Sequence, residues 1–211
     1  DLHPSIPTLP NPSGVSWGSD GALYGTCYRG GDFNLGYVYR VTTNGALIPL
    51  ASFAGTNGAN PSGKLVLGPD GALYGTTENG GPSDKGTIFR VSAAGGLGLL
   101  AAFTGTSGPN PGEQPGGLCL GQDGAFYGCT VRGGGWGAGT GYRITKDGDF
   151  SNLVSFSPNL HGAWPNGTLA EGPDGAFYGT TETSGPAGYG TIFRLTSANV
   201  LSVVAAFNGT N

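Results

Sequence analysis

The octapeptide Gly-x-Asp-Gly-Ala-(Leu/Phe)-Tyr-Gly occurs four times, around Asp20, Asp70, Asp123 and Asp174, at offsets of 50, 53 and 51 residues. A chain that repeats itself at such a period folds as a repeat architecture, because each copy is one small unit that buries its apolar faces against its neighbours. A second motif follows in register: Tyr39-Arg40-Val41, Phe89-Arg90-Val91, Tyr142-Arg143-Ile144 and Phe193-Arg194-Leu195. A third closes each copy, in Leu50 to Phe53, Leu100 to Phe103, Leu153 to Phe156 and Val204 to Phe207. Each copy therefore holds four short β-compatible runs, which in the second copy are 64–67, 72–77, 87–92 and 97–103. Pro69-Asp70-Gly71 joins the first two, with Pro fixing φ and Gly supplying the positive φ of a tight turn. Four antiparallel strands at this period are the signature of a propeller blade. The predicted fold is all-β, a β-propeller built from four four-stranded antiparallel blades per chain. A parallel β-helix is the rival, but its coils are shorter, and no segment shows sustained helical periodicity.

The copies divide the chain into a Pro-rich segment at 1–10 and blades at 11–59, 60–109, 110–164 and 165–211. Copies 1 and 3 resemble each other, with Arg29 and Arg132 each preceding Gly-Gly. Copies 2 and 4 share Glu78 and Glu182 after Thr-Thr. A duplicated two-blade unit explains this pattern. No strand is left over to clasp one end to the other, and blade faces rich in Gly, Ala, Thr and Ser suit tight, nearly parallel packing. That argument favours half of an eight-bladed ring, two chains completing it, over a closed four-bladed ring.

The 44 glycines and 15 prolines would suggest disorder without a period; with one, they punctuate turns. A net charge of −4, with only 10% of residues charged, argues against a nucleic-acid partner. No apolar run approaches the length of a spanning helix, so membrane insertion is not expected. Asp20, Asp70, Asp123 and Asp174 are expected to cap the first hairpin of each blade. Arg40, Arg90, Arg143 and Arg194 are expected to bond neighbouring turns or blades. The three cysteines are an odd number. Cys119 and Cys129 flank one turn and are the candidate disulfide, while Cys27 has no evident partner. No cysteine sits in a metal-binding motif, and neither a metal site nor a cofactor is implied.

The runs Gly75-Thr76-Thr77, Gly80-Gly81 and Gly86-Thr87-Ile88-Phe89-Arg90 closely resemble the GloVer-type tandem repeat of secreted bacterial proteins that carry assorted surface anchors. Gly190-Thr191-Ile192-Phe193-Arg194 matches equally well, whereas copies 1 and 3 depart at Gly36-Tyr37-Val38-Tyr39-Arg40 and Gly139-Thr140-Gly141-Tyr142-Arg143. The resemblance spans nearly the whole chain beyond Pro10. It implies an extracellular or cell-surface propeller and carries no activity with it.

With the first strand innermost, the loops between strands 2 and 3 share a face with the inter-blade loops. That face collects the charged and aromatic residues that the repeat does not explain: Arg29, Asp32, Glu78, Arg132, Trp136, His161, Trp164, Glu182 and Tyr189. Aromatic platforms beside carboxylates and Arg suit sugars, whose apolar faces stack on rings while hydroxyls find polar partners. The alternative is an ordinary solvated face. His3 and His161 have no neighbour that suggests a nucleophile or a metal. Glu78 and Glu182 form a pair of carboxylates that repeat symmetry explains more simply than glycoside hydrolysis does. The first functional expectation is thus a non-enzymatic extracellular scaffold that self-associates into a homo-oligomer or filament. A carbohydrate-binding propeller is the alternative, and a polysaccharide-active enzyme ranks last. The sequons at Asn166 and Asn208 are candidate glycosylation sites.

Overall fold

A computed structural model describes residues 11–210. Blade 1 consists of β1 (Ser16–Trp17), β2 (Leu23–Cys27), β3 (Tyr37–Val41) and β4 (Leu47–Ser52). Blade 2 consists of β5 (Ala59–Leu67), β6 (Leu73–Asn79), β7 (Thr87–Val91) and β8 (Leu97–Ala102). Blade 3 contains β9 (Glu113–Pro115), β10 (Cys119–Leu120), β11 (Phe126–Arg132), β12 (Thr140–Ile144) and β13 (Phe150–Ser155). A one-turn helix, α1 (Pro158–His161), precedes blade 4, which is β14 (Ala163–Glu171), β15 (Phe177–Thr183), β16 (Thr191–Leu195) and β17 (Leu201–Ala206). Strands pair antiparallel in chain order within each sheet, and β9 and β10 both pair with β11 as two halves of one interrupted strand. These are the four blades of the predicted β-propeller.

The first strand of blade 2 starts at Ala59 rather than at residue 64, because a wide bulge interrupts its ladder. Ser62 pairs with Thr76 and Val66 with Tyr74, so three residues of β5 face the single Gly75. The bulge turns Leu65 into the core, where it is 2% exposed. It lies over Gly75, whose absent Cβ would sit 2.8 Å from Leu65 Cδ2 and 2.5 Å from Phe89 Cζ. Blade 4 repeats the bulge between Asn166 and Ala170. In blades 1 and 3 the same strand breaks outright, into β1 with a Pro12–Cys27 bridge and into β9 and β10. Copies 1 and 3 thus differ from copies 2 and 4 in structure as they do in sequence.

Each hairpin turn carries the same polar clasp. In blade 2, Asp70 Oδ1 accepts the Ala72 amide at 3.2 Å, and Oδ2 accepts the Tyr74 hydroxyl at 3.0 Å and Arg90 Nη2 at 2.8 Å. Asp20, Asp123 and Asp174 do the same with Arg40, Arg143 and Arg194. The aspartates are the expected caps, but each Arg reaches its own blade's turn rather than a neighbouring blade. Arg90 pairs with Tyr74 in the ladder, and Tyr74 stands only four residues past Asp70, so the side chain reaches that turn.

The blades pack through aromatic cores rather than through small residues. Blades 1 and 2 enclose Tyr24, Phe53, Leu73 and Phe89. Blades 2 and 3 enclose Tyr74, Phe103, Phe126 and Tyr142. Blades 3 and 4 enclose Tyr127, Phe156, Phe177 and Phe193. The pairing repeats: the Tyr of one blade lies on the Leu or Phe of the next, as Tyr127 does on Phe177 at 3.8 Å between ring centroids. The closing Phe meets the next blade's third strand edge-on, as Phe53 meets Phe89 at 5.0 Å. Four blades make three such cores, and no fourth core joins blade 4 to blade 1 among the described residues.

The expected Cys119–Cys129 bridge is not formed; all three cysteines are free thiols. The reason is register. Cys119 stands opposite Tyr127, while the Cys129 carbonyl accepts the amide of Gly116, so the two thiols belong to rungs separated by the break between β9 and β10. Cys129 packs in the third core, and burial pushes its thiol up to about 12.

Candidate functional site

The loops between strands 2 and 3 meet the inter-blade connectors on one end of the array. Gly81 donates to Gly55 O, Gly134 to Gly105 O and Gly185 to Pro158 O, at 2.7–3.1 Å. The connector then enters the next blade through a residue held at positive φ before a proline: Asn60 (58°), Gln114 (56°) and Trp164 (60°). Their amides donate to Leu35, Lys85 and Ala138 carbonyls of the preceding blade. These bonds hold a costly left-handed backbone in place. Beneath them, buried Thr pairs bridge strands 2 and 3, Thr77 with Thr87, Thr130 with Thr140 and Thr181 with Thr191, at 2.8–2.9 Å. Blade 1 puts Cys27 and Tyr37 at that position. A hydrogen bond to Cys27, together with burial, raises Tyr37 to about 12.

The first strands of blades 2, 3 and 4 converge. Gly117 lies so close to Thr168 that a Cβ there would collide with its hydroxyl, and Gly63 approaches the Gly117 backbone. Between these strands lies a cleft of about 320 Å³, lined by Ser62, Glu78, Gln114, Val131, Asn166 and Thr168 together with the glycines of the bulges. Its polar groups are hydroxyls, carboxamides and one carboxylate, set on strands rather than on loops, and Pro115 and Val131 line it beside them.

Glu78 is the only ionisable group in that lining, and it has a partner from the neighbouring blade. The Tyr28 hydroxyl donates to Glu78 Oε2 at 2.9 Å. Burial and this bond to a carboxylate raise the Tyr28 pKa, against a weaker opposing effect of Arg29, so the phenol stays protonated and donates. Tyr28, Glu78, Val131 and Glu182 occupy equivalent positions five residues after Leu23, Leu73, Phe126 and Phe177. The backbone supports the pair: Asn60 Nδ2 donates to Tyr28 O at 3.1 Å, and Asn79 Nδ2 to Asn60 Oδ1 at 3.2 Å.

The other residues singled out from the sequence share the end of the array without converging. Arg29 and Arg132 are exposed where β2 and β11 finish. Asp32 borders a separate cleft with Tyr37 and Ser52, its amide donating to Ser52 Oγ at 3.1 Å. Trp136 and Tyr189 are exposed on their loops, and neither Trp136 nor Trp164 stacks on another ring among the described residues. His161 ends α1, where its Nδ1 accepts the Ser157 amide at 3.3 Å and burial lowers its pKa. Glu182 is exposed and separated from Glu78 by the whole of blade 3. Asn208 lies in the final turn, accepting from Thr210. Asn166 lies in the cleft, its Oδ1 accepting the Gly167 amide. Tyr28 escaped the sequence reading, although its standing where two copies have Glu was a legible signal. Among the described residues no three His, Cys, Asp or Glu side chains gather to hold a metal ion.

With the repeat, its bulges and its clasps in view, the family assignment follows from a match over residues 11–211. The chain belongs to the Gloeobacter/Verrucomicrobia repeat family. No curated protein matches the sequence. Among solved structures this repeat chain resembles virginiamycin B lyase from Staphylococcus aureus, at 21% identity and a TM-score of 0.65, covering 92% of the chain and 56% of the lyase. It also resembles a gluconolactonase from Xanthomonas campestris, at 16% identity and a TM-score of 0.59, covering 94% of the chain and 63% of that protein. A luciferin-regenerating enzyme matches at 16% identity and a TM-score of 0.55, over 92% of the chain and 64% of the enzyme. The repeat chain thus spans less than two thirds of the length of these propellers.

These likenesses correct the expectation of a non-enzymatic scaffold. The propellers that share the fold are for the most part named as enzymes, at low identity. Extracellular domains of two-component systems from B. thetaiotaomicron share the fold as well. No helix among the described residues is long and apolar enough to cross a membrane.

Proposed function

We propose that this repeat chain forms part of an enzyme propeller whose inner-strand cleft takes a small, uncharged, hydroxyl-rich ring compound of the lactone class and opens it with water. The observation that carries the reading is the Tyr28–Glu78 pair at the cleft: a single carboxylate, oriented by a protonated phenol, among neutral hydrogen-bonding groups. The name of one propeller of the same fold, the gluconolactonase from Xanthomonas campestris, supplies the substrate class.

In this reading Glu78 takes a proton from water as the water oxygen adds to the lactone carbonyl. The ring C–O bond then breaks, and the same proton passes from Glu78 to the departing alkoxide, giving a hydroxy acid. Tyr28 holds one carboxylate oxygen by its bond to Oε2, leaving Oε1 to face the reacting water. The Gln114 and Asn166 carboxamides and the Thr168 hydroxyl suit ring hydroxyls and a carbonyl oxygen. A location outside the cell fits the extracellular domains among its structural neighbours, and fractionation of the source cells tests it.

The direct test is acid release from glucono-δ-lactone and related sugar lactones, followed by pH-stat against the spontaneous rate. The expected result is acceleration by the native chain and a loss of about 10²-fold or more in Glu78→Gln. Rates equal to the spontaneous ones across the panel sink the lactone reading.

A further inference from the structure

Among the described residues, four blades enclosing three cores leave two blade faces without a counterpart. The residues on them are repeat equivalents of residues that the other blades bury. On blade 4, Phe207 is 36% exposed, whereas Phe53, Phe103 and Phe156 at the same position are at most 1% exposed. Val204, also on that face, is 56% exposed, where Leu153 of blade 3 lies inside a core. On blade 1, Trp17 is 63% and Leu47 56% exposed, at the positions from which Leu67 and Leu97 of blade 2 pack against the first core. An apolar cleft of about 260 Å³ runs between Trp17, Leu23 and Val41 on the same face.

The two faces are the two halves of a junction that the chain already builds three times. In each, the trailing Tyr of one blade lies on the leading Leu or Phe of the next, as Tyr74 lies on Phe126 at 4.2 Å. The closing Phe meets the third-strand ring of the next blade, as Phe156 meets Phe193 at 4.9 Å. By the same pairing, Tyr178 has its counterpart in Leu23 and Phe207 in Tyr39, at opposite ends of the array. Contiguous apolar area of this kind on a protein surface marks an interaction site.

We propose that a second copy of this chain covers both faces, blade 4 of each copy packing on blade 1 of the other to close an eight-bladed ring about a twofold axis along the channel. The occupant follows from the chemistry of the faces: the partner of a blade 4 face is a blade 1 face, and another copy presents one. A head-to-tail junction that occurs twice and closes gives a finite pair rather than a filament. Closure also puts a second copy of the Tyr28–Glu78 cleft across the channel, whatever substrate the cleft takes.

Sedimentation velocity on the purified chain tests this, with Trp17→Glu and Val204→Glu as probes. Both positions are exposed within a single copy, so the variants keep native circular dichroism. The native chain is expected to sediment as a dimer, and each variant alone as a monomer with its dissociation constant raised by about tenfold or more. Mixing the two variants restores a heterodimer, because one unaltered blade 4 face then meets one unaltered blade 1 face. A monomeric native chain at high micromolar concentration overturns the proposal. So do a dimer that both substitutions leave intact, a mixture that stays monomeric, and open-ended polymers.

Discussion

Tyr28 and Glu78 occupy one and the same repeat position in successive blades, yet they form a hydrogen-bonded pair, the phenol donating to Oε2 at 2.9 Å. In blades 3 and 4 that position holds Val131 and Glu182, so the pair arises only where the first blade departs from the second. Copies that diverge at one place on a shared scaffold are a simple way to build a local site without disturbing the fold.

Tyr28→Phe keeps the ring and removes the donor. We expect an unfolding free energy within about 1 kcal/mol of native, since one net hydrogen bond is worth that much. Lactone-opening activity should fall by more than this small loss of stability accounts for, because Glu78 is then free to turn. Denaturant melts beside pH-stat rates separate the two effects; equal activity in both proteins denies Tyr28 its positioning role.

The polar clasps should make stability depend on pH at the acid end. Burial alone would raise the Asp70 carboxyl, but Arg90, the Ala72 amide and Tyr74 outweigh it and hold the pKa below the ordinary value. A depressed native pKa contributes stability that is complete above the unfolded value of about 3.9 and is lost as pH falls through the native one. Asp70→Asn should therefore cost about 1 kcal/mol at pH 7, by loss of a turn cap and an ion pair, and less at pH 3. Urea midpoints at the two pH values check this; an equal cost at both refutes it.

Gly75→Ala should be among the more damaging single-carbon changes. The added Cβ would meet Phe89 Cζ at 2.5 Å and Leu65 Cδ2 at 2.8 Å, both inside the first core. Overpacking of this kind costs roughly 1–3 kcal/mol. Pairing Gly75→Ala with Leu65→Ala should recover part of the loss, since the two then share the vacated space. Thermal melts of the four proteins measure the coupling.

Thiol titration should find three free cysteines in the denatured, unreduced chain, because none is bridged. In the native chain Cys129 should resist labelling at neutral pH. It is buried with its thiol pushed up to about 12, and the thiolate is the reacting form. A count of one thiol after denaturation would mean that a disulfide forms after all.

Much of the fold is legible because the repeat presents each element four times. The Asp-Gly turn, the Tyr that follows it and the Arg of the third strand each declare a role by recurring, and the structure joins all three in one clasp. Non-recurring features were harder to read. The inner strand of blade 2 starts five residues before its apolar run, since a bulge around Leu65 hides the alternation that marks a strand. The cleft was harder still: Gln114 and Asn166 lie more than fifty residues apart and meet only because glycines let the inner strands converge.

The sequence by itself determined the blade, its four strands and its polar clasp, because these rest on contacts within about fifty residues that recur in register. Tertiary structure alone decided which faces meet and which stay open. It also decided that Cys119 and Cys129 stand on different rungs, and that Tyr28 reaches Glu78 across a blade boundary. The physical reason is that blade stacking brings together residues one full repeat apart. Their proximity depends on the stagger and bulging of whole sheets, which no local pattern encodes.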